Sequence, residues 1–319
     1  MNGDQPKIEI FAPFGAAFEW MKRMLFQPFD FAKWCVIGFA AFLSGSRGAG
    51  FWWKFPSNGN WNFRSNSYNH MPTSESLPMW LLPFITILVV LVLIFILVVM
   101  WVMSRGRFIF TDCVVKNRAA IAVPWREYRR EGNSFFLFSL AVMFLAMVIM
   151  AVLVLVIVVP LGLFAGGKGT AGLGAMAVFA LVLIGLVLLA WTIFFAIVTQ
   201  FMVPVMYRRR CLAREAFFDV SKLLLGQPGP FVLFVLFGIV LVLALILAST
   251  IVSCLTCCIA ALPYVSSVVL LPAFVWLLAF KLLFLRQFGP EYDVWAAAPS
   301  PASAVAPPEP PGVPPLQTE

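Results

Sequence analysis

From Phe29 to Phe288 the chain is a succession of long apolar runs, and alternate connections between them are dense in arginine and lysine. The clearest run, LPMWLLPFITILVVLVLIFILVVMWVM from Leu77 to Met103, carries no charge from end to end. Comparable runs cover Ser134 to Phe164, Ala175 to Tyr207, Pro230 to Cys258 and Ala260 to Leu285, the last with Lys281 as its one charge. A hydrocarbon core of about 30 Å takes roughly 20 mostly apolar residues in an α-helix, so each run predicts a crossing. A sixth, Phe29 to Leu43, is shorter and opens with Asp30 and Lys33. Charged side chains near a helix end can snorkel to the interface, so it too is assigned a crossing, with a re-entrant or interfacial segment as the alternative.

Ahead of Pro28 the pattern changes to a helical stripe. Phe14, Phe18, Met21 and Leu25 recur on one face, while Glu19, Lys22 and Arg23 stay polar. Such a helix can lie in the headgroup layer, apolar face down and cations toward anionic lipid. Shifted by 200 residues, FEWMKRMLFQPFDF (Phe18 to Phe31) meets FDVSKLLLGQPGPF (Phe218 to Phe231). Phe18, Lys22, Leu25, Gln27, Pro28 and Phe31 coincide with Phe218, Lys222, Leu225, Gln227, Pro228 and Phe231. The stretch VPWREYRREGNSFF has the same character without matching residues. The expected fold is therefore all-α: a polytopic transmembrane helical bundle of about six spans, built as three units of short amphipathic helix plus hairpin. Its divisions are an interfacial helix in 1–28, a transmembrane domain in 29–288 and a Pro-rich tail in 289–319, whose composition predicts a solvated, disordered chain.

Composition sharpens this picture. Of 319 residues, 62% are hydrophobic and only 11% charged, which excludes an ordinary soluble domain. The net charge of +8 would suit nucleic acid, but in a membrane protein the placement of the cations is more informative than their sum. Arg105, Arg107, Lys116, Arg118, Arg126, Arg129 and Arg130 fall in one connection, and Arg208, Arg209, Arg210, Arg214 and Lys222 in another. The positive-inside rule puts both connections, and both termini, in the cytoplasm, leaving Arg47, Lys54, Arg64 and Lys168 outside. Residues 1–27 lack the layout of a secretory signal peptide and are expected to be retained.

Candidate chemistry is sparse. The apolar interiors hold no Asp, Glu or His, the residues that usually carry proton relays and ion paths, so proton coupling is disfavoured. Ser139, Thr192, Gln200, Ser249, Thr250, Ser253 and Thr256 read as interhelical hydrogen-bonding groups. Cys254, Cys257 and Cys258 form CLTCC, far from the sole histidine, His70, and read as packing, with a disulfide or a metal as alternatives. Cys35, Cys113 and Cys211 are expected to be reduced. No cofactor, no metal and no nucleophile with a positioned base is expected. Lys22, Arg23, Arg105, Arg107, Arg208, Arg209, Arg210 and Lys222 are candidate contacts for anionic lipid headgroups. Trp52, Trp53 and Trp61, in an aromatic and Asn-rich outer loop, are candidate ligand-stacking residues; an aromatic belt resting on the outer leaflet is the alternative. Glu127, Glu131, Glu215 and Asp219 read as solvated ion-pair partners.

The runs FQPFDFAKWCVIGFAAFLSG, SRGRFIFTDCVVKN with PWREYRREGNSFFLF, and FLRQFGPEYDVW resemble an uncharacterised family of bacterial multi-pass membrane proteins over Phe14 to Trp295. More loosely, the helix-and-hairpin pattern looks like the membrane domain of some bacterial glycerophosphodiester phosphodiesterases, whose catalytic His and Glu set has no counterpart here. The resemblance implies a bacterial inner-membrane protein and carries over no catalytic residue. The expected role is a non-enzymatic scaffold or lipid-interacting module. Its partners would be anionic lipids and not nucleic acid, with a second copy or another membrane protein as further partners. The alternative is a transporter or permease component for a neutral or amphipathic molecule. A scaffold predicts a closed, side-chain-filled bundle, and a transporter a water-filled cavity near mid-membrane, with helix breaks at Pro160, Pro204 or Pro272.

Overall fold

The computed structural model describes residues 9–45, 81–164, 171–255 and 263–296. These residues form α-helices and one 3-10 turn, with no strand among them. In chain order the helices are α1 (Phe11–Phe26), α2 (Phe31–Leu43), α3 (Leu81–Val115), α4 (Ala122–Glu127), α5 (Arg129–Phe164), α6 (Ala171–Arg209), α7 (Ala213–Gly226), α8 (Pro228–Leu255), α9 (Pro263–Val269) and α10 (Leu271–Arg286). Four are long and apolar enough to cross a membrane, over Pro83–Val115, Arg129–Leu153, Val182–Arg209 and Pro228–Ile251.

Local chemistry explains the boundaries. Asp30 caps α2 by accepting hydrogen bonds from the amides of Ala32 (2.9 Å) and Lys33 (3.2 Å). The helix α1 stops one residue before Gln27, whose extended backbone is what a following proline favours. The run expected as one helix over 260–285 is instead α9 and α10, meeting at Leu270. Pro272 has no amide to give to the Val268 carbonyl four residues back. That freed carbonyl accepts the Trp34 indole N–H of α2 at 2.8 Å, so the break is also a docking point. Pro160 and Pro204, the other expected breaks, lie within the continuous helices α5 and α6.

The run expected to stop at Met103 also continues. Helix α3 proceeds to Val115, carrying Ser104, Arg105, Arg107, Thr111 and Asp112. These polar groups are tolerated because most find partners inside the protein, as described below. Short α2 runs antiparallel to this last part of α3: Lys33 Nζ donates to Asn117 Oδ1 at 2.8 Å, and the backbone at Leu43 and Ser44 packs on Gly106. With 13 residues, α2 is about 20 Å long and ends at the level of Gly106, while α3 continues well past it.

One end of the molecule holds the core. Phe108, Ile109 and Cys113 of α3, Phe135 of α5, Phe201 and Met206 of α6, Phe231 of α8 and Phe284 of α10 are buried together. Their rings interlock, with Phe201 edge-on to Phe231 at 5.2 Å and Phe234 stacked on Phe280 at 5.0 Å. Helix α1 lies along α10: the Trp276 indole donates to the Phe14 carbonyl at 3.3 Å, and Gln287 exchanges two hydrogen bonds with the Glu9 backbone. Its Met21 and Leu25 are therefore buried against protein, leaving Phe11, Phe18 and Phe26 exposed.

Away from that end the long helices separate. Phe84 to Val98 of α3 is exposed throughout, as are most described apolar side chains of α5 from Met143 to Leu155, α6 from Phe179 to Ile193 and α8 from Val232 to Ile251. The closed bundle expected of a scaffold is thus filled only at one end. Aliphatic surface of this kind is what lipid tails cover in a bilayer.

Gly106 marks the tightest helix approach. A Cβ there would overlap the Leu43 carbonyl and the Ser44 amide nitrogen, both backbone and unable to rotate away. Gly106→Ala is expected to cost about 2 kcal/mol or more, a typical penalty for overpacking. Gly185→Ala, which meets nothing within 4 Å on α6, should be neutral or stabilising by about 1 kcal/mol from helix propensity. Thermal unfolding in detergent checks both; equal melting temperatures would refute the close approach.

Candidate functional site

The polar chemistry of the described residues is gathered at the core end, around Asp112. This carboxylate is fully buried, at 0% exposure, on the last turn of α3. A buried carboxylate is tolerated only when paired and hydrogen-bonded. Lys116 Nζ lies 2.7 Å from Oδ1, one turn along the same helix. Arg118 donates from Nε (2.9 Å) and from a terminal nitrogen (2.7 Å) to Oδ2. Tyr207 of α6 donates its hydroxyl to Oδ1 at 3.1 Å.

Sequence sets this geometry up locally. Asn117 adopts φ 50°, a left-handed conformation that asparagine tolerates at a helix C-terminus, and the Arg118 amide bonds back to the Cys113 carbonyl at 3.2 Å. The turn folds Arg118 onto Asp112. At the end of α6, Arg210 also has a positive φ, 53°, a conformation that strains a non-glycine residue. Its guanidinium holds it there: it ion-pairs with Glu127, lies 3.6 Å from Glu131 and sits 3.9 Å above the Tyr128 ring. Tyr128 in turn stacks on Tyr207 at 4.9 Å. Burial pushes the Tyr128 phenol above its ordinary value, so it stays neutral within this stack. Glu127 also faces Lys116 (3.6 Å) and Arg118 (3.7 Å), closing a network of three carboxylates and three cations.

A second cluster surrounds Arg105. Its Nε and a terminal nitrogen donate to Asn133 Oδ1 at 3.1 and 2.8 Å, and the Trp101 indole donates to the same oxygen at 3.1 Å. The guanidinium lies against the indoles of Trp101 (4.2 Å) and Trp125 (5.1 Å), which meet edge-on. Gly132 gives Arg105 room, since a Cβ there would stand 2.9 Å from the arginine Cγ.

The arrangement suits structural pairing and anion attraction. An aspartate held by two cations and a phenol hydroxyl has both oxygens occupied. Among the described residues, no group of three or more His, Cys, Asp or Glu could hold a metal ion. A model of the DUF7544 family, a family of unknown function, matches residues 9–295. The chain belongs to that family. No curated protein matches the chain, and no solved structure does. The looser likeness to the phosphodiesterase membrane domain finds no support in these comparisons.

The candidate headgroup residues of this DUF7544 protein divide in two. Arg105 and Arg210 are engaged as above, Arg209 pairs with Asp219 at 2.6 Å, and Arg208 donates to the Ala296 carbonyl at 2.9 Å. Lys22, Arg23, Arg107 and Lys222 are exposed and have no carboxylate within 4.0 Å among the described residues. Trp52, Trp53 and Trp61 lie outside the described residues, as do Cys257, Cys258 and the tail from residue 297 on, whereas residues 289–296 of the expected tail are described and include a 3-10 turn at Pro290–Tyr292. Cys35, Cys113, Cys211 and Cys254 are free thiols. Of the acids expected in solvated ion pairs, Glu131 is buried and paired, whereas Glu215 is exposed. Asp112, Tyr128, Asn133 and Tyr207 escaped the sequence reading. The available signal was the i, i+4 spacing of Asp112 and Lys116 beside a long apolar run.

Asp112→Asn leaves Lys116 and Arg118 facing a neutral buried amide, so a loss of about 3 kcal/mol is expected. Tyr207→Phe should cost about 1.5 kcal/mol, as for a hydrogen bond to a charged group. Thermal unfolding of the purified protein measures both. An Asp112→Asn variant as stable as the parent would show that the network is not a clamp.

Proposed function

We propose that this is a bacterial inner-membrane protein that acts as a non-enzymatic, lipid-interacting scaffold, with its core end on the cytoplasmic leaflet. The observation that carries this reading is a recurring exposed pair. On α1, Phe18 (45% exposed) stands one turn before Lys22; on α7, Phe218 (63% exposed) stands one turn before Lys222. Arg23 and Arg214 add exposed cations to the same two helices, and α4 offers Val123 with Arg126. A ring to enter the acyl boundary beside a cation for a phosphate is the chemistry of an amphipathic helix in the headgroup layer.

The internal repeat belongs to the proposal. Both copies form helix, Gln-Pro, helix, with Gln27 at φ −134°, ψ 92° and Gln227 at φ −139°, ψ 70°. Pro13 and Ala213 are buried at matching positions, as are Met24 and Leu224. Six crossings with both termini cytoplasmic fit the chain direction: α2, α5 and α8 lead away from the core end, and α3, α6 and the α9–α10 pair return to it. The crevice between α5 and α6 offers a hydrophilic solute no polar partner, and a transporter for a neutral or amphipathic molecule stays the alternative to the scaffold. The volume of this crevice is ≈ 290 Å³ and its walls are Ile149, Leu153, Leu183, Ile184, Val187 and Leu188, all aliphatic.

Two outcomes are expected. In nanodiscs, spin-labelled phosphatidylglycerol should be enriched around the protein over phosphatidylcholine. Combined Lys22→Gln, Arg23→Gln, Arg214→Gln and Lys222→Gln should cut that preference at least tenfold, at about 1 kcal/mol per nearby cation. An unchanged preference sinks the lipid reading. For topology, impermeant maleimide added to spheroplasts of a cysteine-free background should label Ser67→Cys and spare Arg130→Cys; labelling of both, or of Arg130→Cys alone, contradicts the orientation.

A further inference from the structure

Arg105 is only 6% exposed, yet no carboxylate lies within 4.0 Å of it among the described residues. Asp112, Glu127 and Asp219, by contrast, each hold an arginine. A guanidinium so enclosed is costly without a counter-charge. Asn133 meets part of that need: its Oδ1 accepts from Nε and Nη2 of Arg105 at 3.1 and 2.8 Å, and from the Trp101 indole at 3.1 Å.

This pattern leaves donors over. Nε and Nη2 make one edge of the planar guanidinium; the other edge, formed by Nη1 and the second proton of Nη2, points away from Asn133 and has no acceptor among the described residues. Three N–H groups converge on Oδ1, which fixes the sense of the Asn133 amide. Its NH2 is therefore a donor as well, again with no acceptor among the described residues. The Trp125 indole N–H, on the ring 5.1 Å from the guanidinium, is a third. None of these nitrogens is sealed inside the protein, because the unpartnered buried polar atoms of the described side chains are Ser221 Oγ and Trp295 Nε1. Arg129, exposed one turn before Asn133 on α5, adds a positive charge to the same helix face.

Position selects the source of an anion. Ile94, Val98, Trp101 and Arg105 recur at helical spacing down one face of α3, and Ile94 and Val98 belong to the exposed apolar stretch of residues 84–98. That stretch is about 21 Å long, against roughly 15 Å for one leaflet of the hydrocarbon core. Indoles favour the membrane interface, and Trp101 stands where the apolar stripe gives way to the charge. A phosphate at the guanidinium thus lies at the foot of a strip that an acyl chain can follow.

We infer that Arg105, Asn133 and Trp125 form a site for the phosphate of one membrane phospholipid, whose acyl chain lies along the Val98 and Ile94 face of α3. Two phosphate oxygens take the free edge of the guanidinium, the Asn133 amide and the Trp125 indole donate to the others, and the phosphate supplies the counter-charge. Arg129 turns the choice toward lipids of net negative charge. The site rests on the reading of this protein as lipid-interacting, but it is one place per chain, apart from the cations exposed on α1 and α7.

Native mass spectrometry of the full chain in neutral detergent, with phosphatidylglycerol or phosphatidylcholine titrated in, tests the site. The parent should hold one phosphatidylglycerol at least about tenfold more tightly than further copies or than phosphatidylcholine. Asn133→Asp keeps the side-chain shape, gives Arg105 an internal carboxylate and replaces the amide donors by an oxygen that repels phosphate. It should lose the tight lipid, yet melt no lower than the parent when delipidated. Arg105→Lys, which keeps the charge and loses the fork, is the second variant and should weaken binding by about tenfold. Saturating phosphatidylglycerol should raise the melting temperature of the parent by about 5 °C and leave that of Asn133→Asp unchanged. Undiminished binding by either variant, or a parent that holds no lipid more tightly than the rest, overturns the site. An equal rise with inorganic phosphate alone also overturns it, since no acyl chain would be engaged. Lys22→Gln with Lys222→Gln should keep the single tight lipid, so this site and the proposed headgroup layer fail separately.

Discussion

The architecture depends on one buried charge. Asp112 lies where α3 leaves the apolar zone, and an unpaired carboxylate there would cost several kcal/mol. Satisfying it draws in the turn after α3 through Lys116 and Arg118, and α6 through Tyr207. Tyr207 brings Tyr128, Tyr128 lies beneath Arg210, and Arg210 reaches Glu127 and Glu131. One carboxylate thereby fixes the relative positions of α3, α4, α5 and α6. The left-handed Arg210 is intelligible on the same ground: its backbone strain of about 1–2 kcal/mol is offset by contacts that no other residue type could make together.

That concentration of polar pairing explains why the molecule is tight at one end and open at the other. Lipid tails are as apolar as leucine, so aliphatic helices gain little by choosing each other over lipid. Hydrogen bonds, ion pairs and close backbone approach are what hold helices together there. In this protein the three occur together at the core end, where Gly106 meets Leu43, Trp34 meets Val268 and Asp112 meets Tyr207.

The apolar helices were legible in the sequence because length and the absence of charge are local properties. The run from Leu77 to Met103 announced α3, and Asp30 announced the start of α2. The continuation of α3 past Met103 was not legible for a physical reason: Arg105, Arg107 and Asp112 resemble the end of a helix when their surroundings are unknown. The partners in this network are remote. Tyr207 is 95 positions from Asp112 and Glu127 is 83 from Arg210, and no spacing rule reaches so far. For the same reason RGR and RRR read as uniform patches of charge. In the fold Arg105 lies against two indoles and donates to Asn133, and Arg107 lies over the Phe135 ring, although one residue separates them.

Alike in sequence, the two proposed repeat copies are placed differently, and the difference bears on how the protein works. In the first, α10 covers α1, so Leu25 is 3% exposed. In the second, Leu225 at the same offset is 71% exposed, because α7 packs beside α6 and α5 and leaves that face uncovered. Phe218 and Leu225 lie two turns apart on α7, with Lys222 between them, forming an apolar strip with a cation along it. Duplication of one amphipathic element thus yields two uses: one copy supports α10, and the other keeps its apolar strip free for the membrane.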